Sequence, residues 1–175
     1  IPRLLASAAA GIMSEDLGDE GLETALSLGG PEVKESLLAT LASFQRCSWD
    51  DVPNPPFDAA FFRQELAVFE SFVLKAPGRP ERRFLDALAE RLERHPFRLA
   101  HRDFHVHNLL WRANGVWAVD FQDMRGGPDT YDASSLLRER GGSRLLDGPS
   151  LPRAAIASAC RWEVGWEQRL RECAA

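Results

Sequence analysis

The pattern of apolar and polar residues predicts a helix-rich chain. Apolar side chains recur at helical spacing in segments that are separated by Pro, Gly and short polar stretches. The predicted helices span residues 31–47, 58–74, 80–95, 131–140 and 152–173. Pro31 and Pro80 suit a first helical turn because Pro lacks the N–H that would be unpaired there. Asp58 suits an N-cap, and Gly141-Gly142 would end the fourth helix.

Two of these helices carry the apolar faces on which a core would form. The second carries Phe61, Phe62, Leu66, Phe69, Phe72 and Val73, and the third carries Phe84, Leu85, Leu88 and Leu92. Helical stripes of this kind are typical of core packing, so we predict that both face inward. Glu65 lies among the aromatic positions and faces either a substrate cleft or solvent on the helix flank.

Short strands are predicted where the helical pattern stops. Residues 2–7, 11–14 and 97–100 have a strand-like pattern, and Gly126-Gly127-Pro128 is predicted to form a turn. Asn114-Gly115 is a strong hairpin signal and would join strands at 109–112 and 116–121. The chain is therefore expected to be helix-rich around one small hairpin.

That hairpin would bring three polar residues together at one end. Asp103 and Asn108 precede its first strand, and Asp120 lies near the end of the second. Their carboxylate and amide oxygens are hard ligands that suit Mg²⁺. Kinase phosphoryl transfer needs such a set, with one Asp to orient the attacking hydroxyl and an Asn and an Asp to hold magnesium.

The amino-acid sequences of these segments resemble those of a known family. His101-Arg102-Asp103 followed by Asn108, then Val119-Asp120-Phe121, resembles the catalytic loop and the metal-binding segment of kinases. "HRDFHVHNLL", "VDFQD" and "GPDTYDASSLLRER" are similar to the aminoglycoside phosphotransferase-like family, which includes choline kinases. Within it they look most like the kinases that phosphorylate amino sugars (N-acetylmuramate, N-acetylglucosamine) at the anomeric hydroxyl.

This resemblance implies an α+β, protein-kinase-like fold. Residues 1–19 would form the end of the N-terminal lobe and the hinge, and residues 20–175 the mostly helical C-terminal catalytic lobe. The family's Gly-rich loop and phosphate-gripping Lys are expected upstream of Ile1, which is not a Met, and no substitute motif occurs. We therefore expect little or no turnover from these 175 residues alone.

The resemblance also implies roles for individual residues. Asp103 would be the catalytic residue that orients the acceptor hydroxyl, while Asn108 and Asp120 would hold Mg²⁺ between the phosphates of ATP. Backbone groups near Glu15, Asp16 and Leu17 would meet the adenine, although an acidic turn leading into a helix explains the same residues.

Four further residues are expected to support this site. They are His101, packing and hydrogen-bonding beneath the metal-binding segment; Arg102, in an ion pair within the loop; Asp132, holding the catalytic loop; and Asp123. The last of these either lines the substrate side of the cleft or ties down the loop after the hairpin.

Composition and charge narrow the choice of partners. The net charge is −5 and the pI about 5.4, with Lys and Arg scattered among acids, so we predict no binding to nucleic acid or to a membrane. Three cysteines without a CxxC pair are typical of a reduced, cytoplasmic protein. No apolar run reaches the roughly 20 residues of a membrane span.

The expected function is an ATP-dependent phosphotransferase acting on a hydroxyl of a small molecule, an amino sugar first and an aminoglycoside or choline-type compound second. Two alternatives belong to other classes. In an extended strand, His101, Asp103, His105 and His107 would share one face and provide the ligands of a zinc-dependent hydrolase. A non-catalytic kinase-like binding module is the other alternative.

Overall fold

The computed structural model describes residues 1–8, 11–28, 30–138 and 153–174. Its strands are β1 (Leu4–Ala8), β2 (Gly11–Ser14), β3 (Phe97–Ala100), β4 (Leu109–Arg112), β5 (Gly115–Ala118) and β6 (Arg125–Pro128). Its α-helices are α1 (Leu22–Leu28), α2 (Pro31–Arg46), α3 (Ala59–Phe69), α4 (Arg79–Glu93), α5 (Tyr131–Arg138), α6 (Arg153–Cys160) and α7 (Trp166–Cys173). Trp49–Asp51 and Val106–Asn108 form single 3₁₀ turns. The helix-rich prediction is confirmed. The predicted end of the fourth helix at Gly141-Gly142 and the start of the last one near Pro152 lie outside the described residues.

The strands form three separate two-stranded antiparallel ribbons, β1–β2, β3–β6 and β4–β5. The predicted turn at Gly126-Gly127-Pro128 is wrong, because these residues belong to β6. A Cβ at Gly126 would lie 2.7 Å from the Trp49 ring, and one at Gly127 would lie 2.8 Å from the Phe57 ring. The two glycines are therefore needed for close packing of a strand, whereas the sequence alone reads them as a turn.

The β4–β5 hairpin forms as predicted, with two differences. Arg112 pairs with Gly115, so the central turn residues are Ala113 and Asn114, at φ 49° and 60°, rather than Asn114 and Gly115. Positive φ at both positions is the geometry of a type I′ turn, which matches the twist of a hairpin. The second strand ends at Ala118 rather than at residue 121, because Asp120 takes a positive φ of 63° and leaves the extended conformation.

The main core lies between α2, the β4–β5 hairpin and the C-terminal helices. The helix prediction for α2 is confirmed, and Val33, Leu37 and Leu41 on one face are almost inaccessible to solvent. They pack with buried residues of the segment 101–110 and of α5 and α6, namely Phe104, Leu109, Leu136 and Ile156. This core therefore supports the segment that carries Asp103 and Asn108 from below.

The aromatic stripe of α3 is only partly buried, which corrects the prediction. Phe62 is 3% exposed, but Phe72 and, on α4, Phe84 are 78% and 55% exposed. Asp58 caps α3 as predicted, accepting a hydrogen bond from the Phe61 N–H at 2.6 Å. After Phe69, however, the chain continues as a π-helical turn, Glu70–Leu74, whose wider winding rotates the following side chains off the buried face.

The predicted C-terminal helix is in fact two helices, α6 and α7. The Arg161 N–H donates to the Ser158 carbonyl and the Trp162 N–H to the Ala157 carbonyl, with Arg161 at φ 53°. This is the Schellman pattern that closes a helix, here formed without the usual Gly. Within the described ranges, no helix combines the length and the apolar character needed to cross a membrane.

Candidate active site

The loop after β3 carries Asp103 on the surface and is braced from both sides. The His105 N–H donates to the Asp103 carbonyl at 3.0 Å, and the Asn108 side-chain amide donates to the same carbonyl at 3.1 Å. The Asp103 side chain is exposed, while Phe104 next to it is fully buried. The loop therefore has a fixed backbone and presents the Asp103 carboxylate to solvent.

Asp120 lies beside Asn108 at the open end of the hairpin. The Val119 N–H donates to the Asn108 carbonyl at 3.0 Å, which continues the β4–β5 pairing by one residue. Asp120 follows immediately, at φ 63°, and its Oδ1 accepts a hydrogen bond from Gln122 Nε2 at 2.7 Å. The structure thus brings Asp103, Asn108 and Asp120 to one end of the ribbon.

These residues fit a magnesium ion. Because the Asn108 amide nitrogen is engaged with the Asp103 carbonyl, its Oδ1 is left to act as a ligand. The exposed Asp120 carboxylate adds oxygen donors of negative charge. Mg²⁺ is commonly held by one or two such protein oxygens, together with water and substrate phosphates.

The alternative zinc site does not form. His101 is fully buried and His107 is exposed, and the 3₁₀ turn at Val106–Asn108 breaks the extended strand that the hypothesis required. In the parts of the chain that are described, no three His, Cys, Asp or Glu side chains are grouped so that they could hold a metal.

Asp132 is completely enclosed and holds the start of the loop that carries Asp103. Its two carboxylate oxygens accept hydrogen bonds from the backbone N–H groups of His101, at 2.8 Å, and of Arg102, at 3.0 Å. Burial raises the pKa of this carboxyl from 3.8 to about 6, while the two backbone hydrogen bonds act in the opposite direction. The clamp acts on a strained residue, since Arg102 has a φ of 78°.

His101 packs beneath this loop as predicted. The ring lies edge-on to Phe44 at 5.5 Å and to Phe104 at 5.9 Å between centroids. Burial lowers the His101 pKa, although the Val119 backbone and the carboxylates of Asp103 and Asp120 favour the charged form.

Arg102 connects the loop that carries Asp103 to α3. Its guanidinium contacts the Glu65 carboxylate at 2.6 Å and the Asp123 carboxylate at 3.6 Å, and it lies over the rings of Phe57 and Phe61. Glu65 also accepts a hydrogen bond from the Tyr131 hydroxyl at 3.5 Å. Glu65 is therefore not a solvated helix flank, and its partner 37 residues away could not be found by local pattern.

The segment after the hairpin is tied down by contacts from distant residues. Asp123 contacts Arg102 through its carboxylate, and its carbonyl accepts from Arg125 Nε at 3.5 Å, which places it against the loop. The side-chain amide of Asn54 donates to the carbonyls of Gln122, at 2.8 Å, and Met124, at 3.0 Å. Asn54 lies in a Pro-rich stretch that the sequence presents only as a linker.

The residues predicted to meet a nucleotide are held against the hairpin. The Glu15 N–H donates to the Arg3 carbonyl at 2.8 Å, and Arg112 contacts both the Glu15 carboxylate, at 3.1 Å, and the Asp16 carbonyl. Leu17 is buried. The contacts of Arg112 thus hold this segment against the hairpin. Because the Glu15 N–H and the Asp16 carbonyl are already engaged, other backbone groups of the segment would have to hydrogen-bond to a base.

Comparison with known proteins places this arrangement in a family. The model of the phosphotransferase enzyme family (APH) matches residues 10–170. N-acetylmuramate/N-acetylglucosamine kinases of Pseudomonas putida and Neisseria meningitidis are 29% identical over 136 residues and 33% identical over 142 residues. The matches cover 70% and 73% of this chain, but 40% and 42% of those proteins. The chain therefore spans about two fifths of the length of these relatives.

Solved structures confirm the predicted α+β, kinase-like fold. Aminoglycoside phosphotransferase APH(2'')-Ib with ADP bound has a TM-score of 0.61 at 17% identity, over 98% of this chain and 63% of that one. Ethanolamine kinase of Plasmodium vivax has a TM-score of 0.62 at 13% identity, over 99% of this chain and 58% of that one. With the family model matching most of its length, the chain belongs to the phosphotransferase enzyme family.

Proposed function

We propose that this protein is a kinase that transfers the γ-phosphate of ATP, with Mg²⁺, to a hydroxyl of a small molecule, most specifically an amino sugar. The observation that carries the proposal is the convergence of Asp103, Asn108 and Asp120 at the open end of the β4–β5 hairpin. An exposed carboxylate beside an Asn–Asp pair is what in-line phosphoryl transfer requires of a protein.

In this proposal, Asp103 accepts a hydrogen bond from the acceptor hydroxyl and directs its oxygen at the γ-phosphorus. A weakly basic carboxylate is sufficient because, in a loose transition state, the hydroxyl proton need not be removed before the new P–O bond forms. The two hydrogen bonds to the Asp103 carbonyl fix the backbone from which this side chain projects. Positioning is therefore the main contribution of the loop.

Asn108 Oδ1 and the Asp120 carboxylate would hold Mg²⁺, which supplies positive charge to the phosphates when bound. The backbone around Glu15, Asp16 and Leu17 would read the adenine, supported by the Arg112 contacts that attach this segment to the hairpin. Solved family members carry either ADP or GDP, so the assay must compare ATP and GTP as donors.

The amino-sugar acceptor is supported by the relatives, which are named for N-acetylmuramate and N-acetylglucosamine. The proposed location is the cytoplasm, supported by three cysteines that are all unpaired thiols, with Cys47 on the surface.

The test uses the protein as its gene encodes it. Transfer from ATP and from GTP is measured for a panel of amino sugars, aminoglycosides and choline, with Mg²⁺ and separately with Zn²⁺. We expect Mg²⁺-dependent transfer to amino sugars, and a loss of roughly a thousandfold or more in kcat for Asp103→Asn.

Asp51→Asn is the matched control, because it makes the same change at an exposed position outside the loop. Undiminished turnover in Asp103→Asn, or no transfer to any acceptor with either metal, would refute the proposal. Transfer restricted to aminoglycosides or choline would keep the kinase assignment and replace the acceptor.

A further inference from the structure

Arg125, the first residue of β6, is a buried cation that has no carboxylate partner among the residues that the structure describes. Its side chain is only 7% exposed, and its guanidinium stacks on the rings of Phe61, at 4.5 Å, and Phe57, at 5.6 Å. Its one hydrogen bond to a described residue runs from Nε to the neutral carbonyl of Asp123 at 3.5 Å. Across the described ranges, no carboxylate lies within ion-pair distance of it.

Other enclosed arginines of this chain are treated differently. Arg169 makes a two-pronged contact with the Asp129 carboxylate, at 3.0 and 2.8 Å. Arg102, which lies over the same two rings as Arg125, has two carboxylates within 4 Å. Arg125 is therefore the exception among them.

A guanidinium in such a place is costly to the protein. Moving a cation from water to a buried position without a counter-ion raises the free energy of the folded protein. Contacts with aromatic faces offset only part of this increase. Because the planar fork of Arg matches a carboxylate through two parallel hydrogen bonds, an anionic group would complete the site.

The position of Arg125 puts it next to the proposed acceptor side. Its backbone is paired in register with Ala100, the residue that leads directly into His101-Arg102-Asp103. Arg102 and Arg125 share the Phe57–Phe61 ring pair, and both contact Asp123. An anion bound to Arg125 would therefore belong to a molecule that also reaches the Asp103 loop.

We propose that Arg125 binds a carboxylate carried by the acceptor and so determines a preference for acidic over neutral amino sugars. This inference rests on the proposed function and deepens it. N-acetylmuramate and N-acetylglucosamine make a matched pair of probes, because the first carries a lactyl carboxylate on the sugar ring and the second does not.

The experiment measures binding of each sugar by calorimetry, in the naturally encoded protein with Mg²⁺ and a non-hydrolysable ATP analogue, and then kcat/KM for each. The variants are Arg125→Met, which keeps a long side chain on the rings, and Arg125→Lys, which keeps the charge but loses the fork. Arg98→Met, an exposed arginine on the paired strand β3, is the control.

For Arg125→Met we expect N-acetylmuramate affinity to fall by about ten- to a hundredfold, the effect of losing a charge-assisted hydrogen bond, while N-acetylglucosamine changes less than threefold. Arg125→Lys should recover part of the loss, and Arg98→Met should resemble the unmodified protein. Thermal melting of each variant separates a loss of folding from a loss of binding.

Equal weakening for both sugars, or no weakening for either, would overturn the assignment of Arg125 and leave the kinase proposal intact. Because binding is measured apart from turnover, absence of transfer would refute the kinase proposal while the selective loss of N-acetylmuramate binding still decided the role of Arg125. Failure of the unmodified protein to bind N-acetylmuramate would overturn the inference.

Discussion

The Asp132 clamp makes a prediction about stability that does not depend on activity. Asp132→Asn keeps the shape of the side chain but replaces one acceptor oxygen by an NH₂ group. That group would face the backbone N–H of His101 or of Arg102. In the unmodified protein both N–H groups donate hydrogen bonds to the carboxylate. An unsatisfied buried donor costs about 1–3 kcal/mol, so the variant carries a penalty of that size at any pH.

The variant also removes the free-energy cost of ionising the buried Asp132 carboxyl, and this cost depends on pH. The pKa of Asp132 rises from 3.8 to about 6 on folding. Since the folded pKa is the higher one, the stabilising contribution of this group is fully present below pH 3.8 and is lost as the pH rises through 6. Between pH 4.5 and 7.5 this lost contribution is about 2 kcal/mol, from about 1.36 kcal/mol per pH unit.

The unmodified protein should therefore lose about 2 kcal/mol relative to Asp132→Asn as the pH rises from 4.5 to 7.5. The assay is urea unfolding at several pH values in that interval, with the free energy of unfolding extrapolated to zero urea. The difference between the two proteins is the measured quantity, because the titration of groups that do not interact with Asp132 is the same in both and cancels.

Asp51→Asn, at an exposed Asp, should give a difference that does not vary with pH. If the difference for Asp132→Asn were equally flat, burial would not control this carboxyl. A difference that changed in the opposite direction would mean that the two backbone hydrogen bonds outweigh burial and that the folded pKa lies below 3.8.

Two further predictions concern the backbone around the site. Gly127→Ala should destabilise the protein by about 1–3 kcal/mol in thermal or urea unfolding, because the new Cβ would lie 2.8 Å from the Phe57 ring. Gly115→Ala, where the nearest atom is 3.5 Å away and φ is not positive, should change stability by less than about 1 kcal/mol, and equal losses at both sites would contradict this explanation. Ala113→Gly should stabilise the hairpin by about 0.5–1 kcal/mol, since Ala at φ 49° is strained; a lower melting temperature would contradict it.

Local signals in the sequence were sufficient for the elements that carry the site. The helical spacing of α2, the cap at Asp58 and the hairpin between β4 and β5 are all found in the structure. The spacing of Asp103, Asn108 and Asp120 was informative because hairpin pairing relates residues close in sequence. Such features depend on residues that are close in the chain, so they can be predicted from one amino-acid sequence.

Contacts between distant parts of the chain could not be read in this way. Gly126-Gly127 lie in a strand paired with β3, where the rings of Trp49 and Phe57 occupy the space that side chains would need. Phe72 and Val73, the exposed end of the aromatic stripe, follow a change of helical winding at Glu70. In both cases the local preference was real, but packing decided the outcome.

The same distinction holds within the site. The sequence by itself predicted which residues would take part in the proposed phosphoryl transfer, and that the hairpin would bring them together. Only the tertiary structure decided that Glu65 pairs with Arg102, while Arg125, on the same two aromatic rings, has no carboxylate partner in the described part of the chain. The strength of an ion pair depends on the distance between the two charges and on their burial. The sequence does not give either quantity for residues such as Arg102 and Glu65, which lie 37 positions apart in the chain.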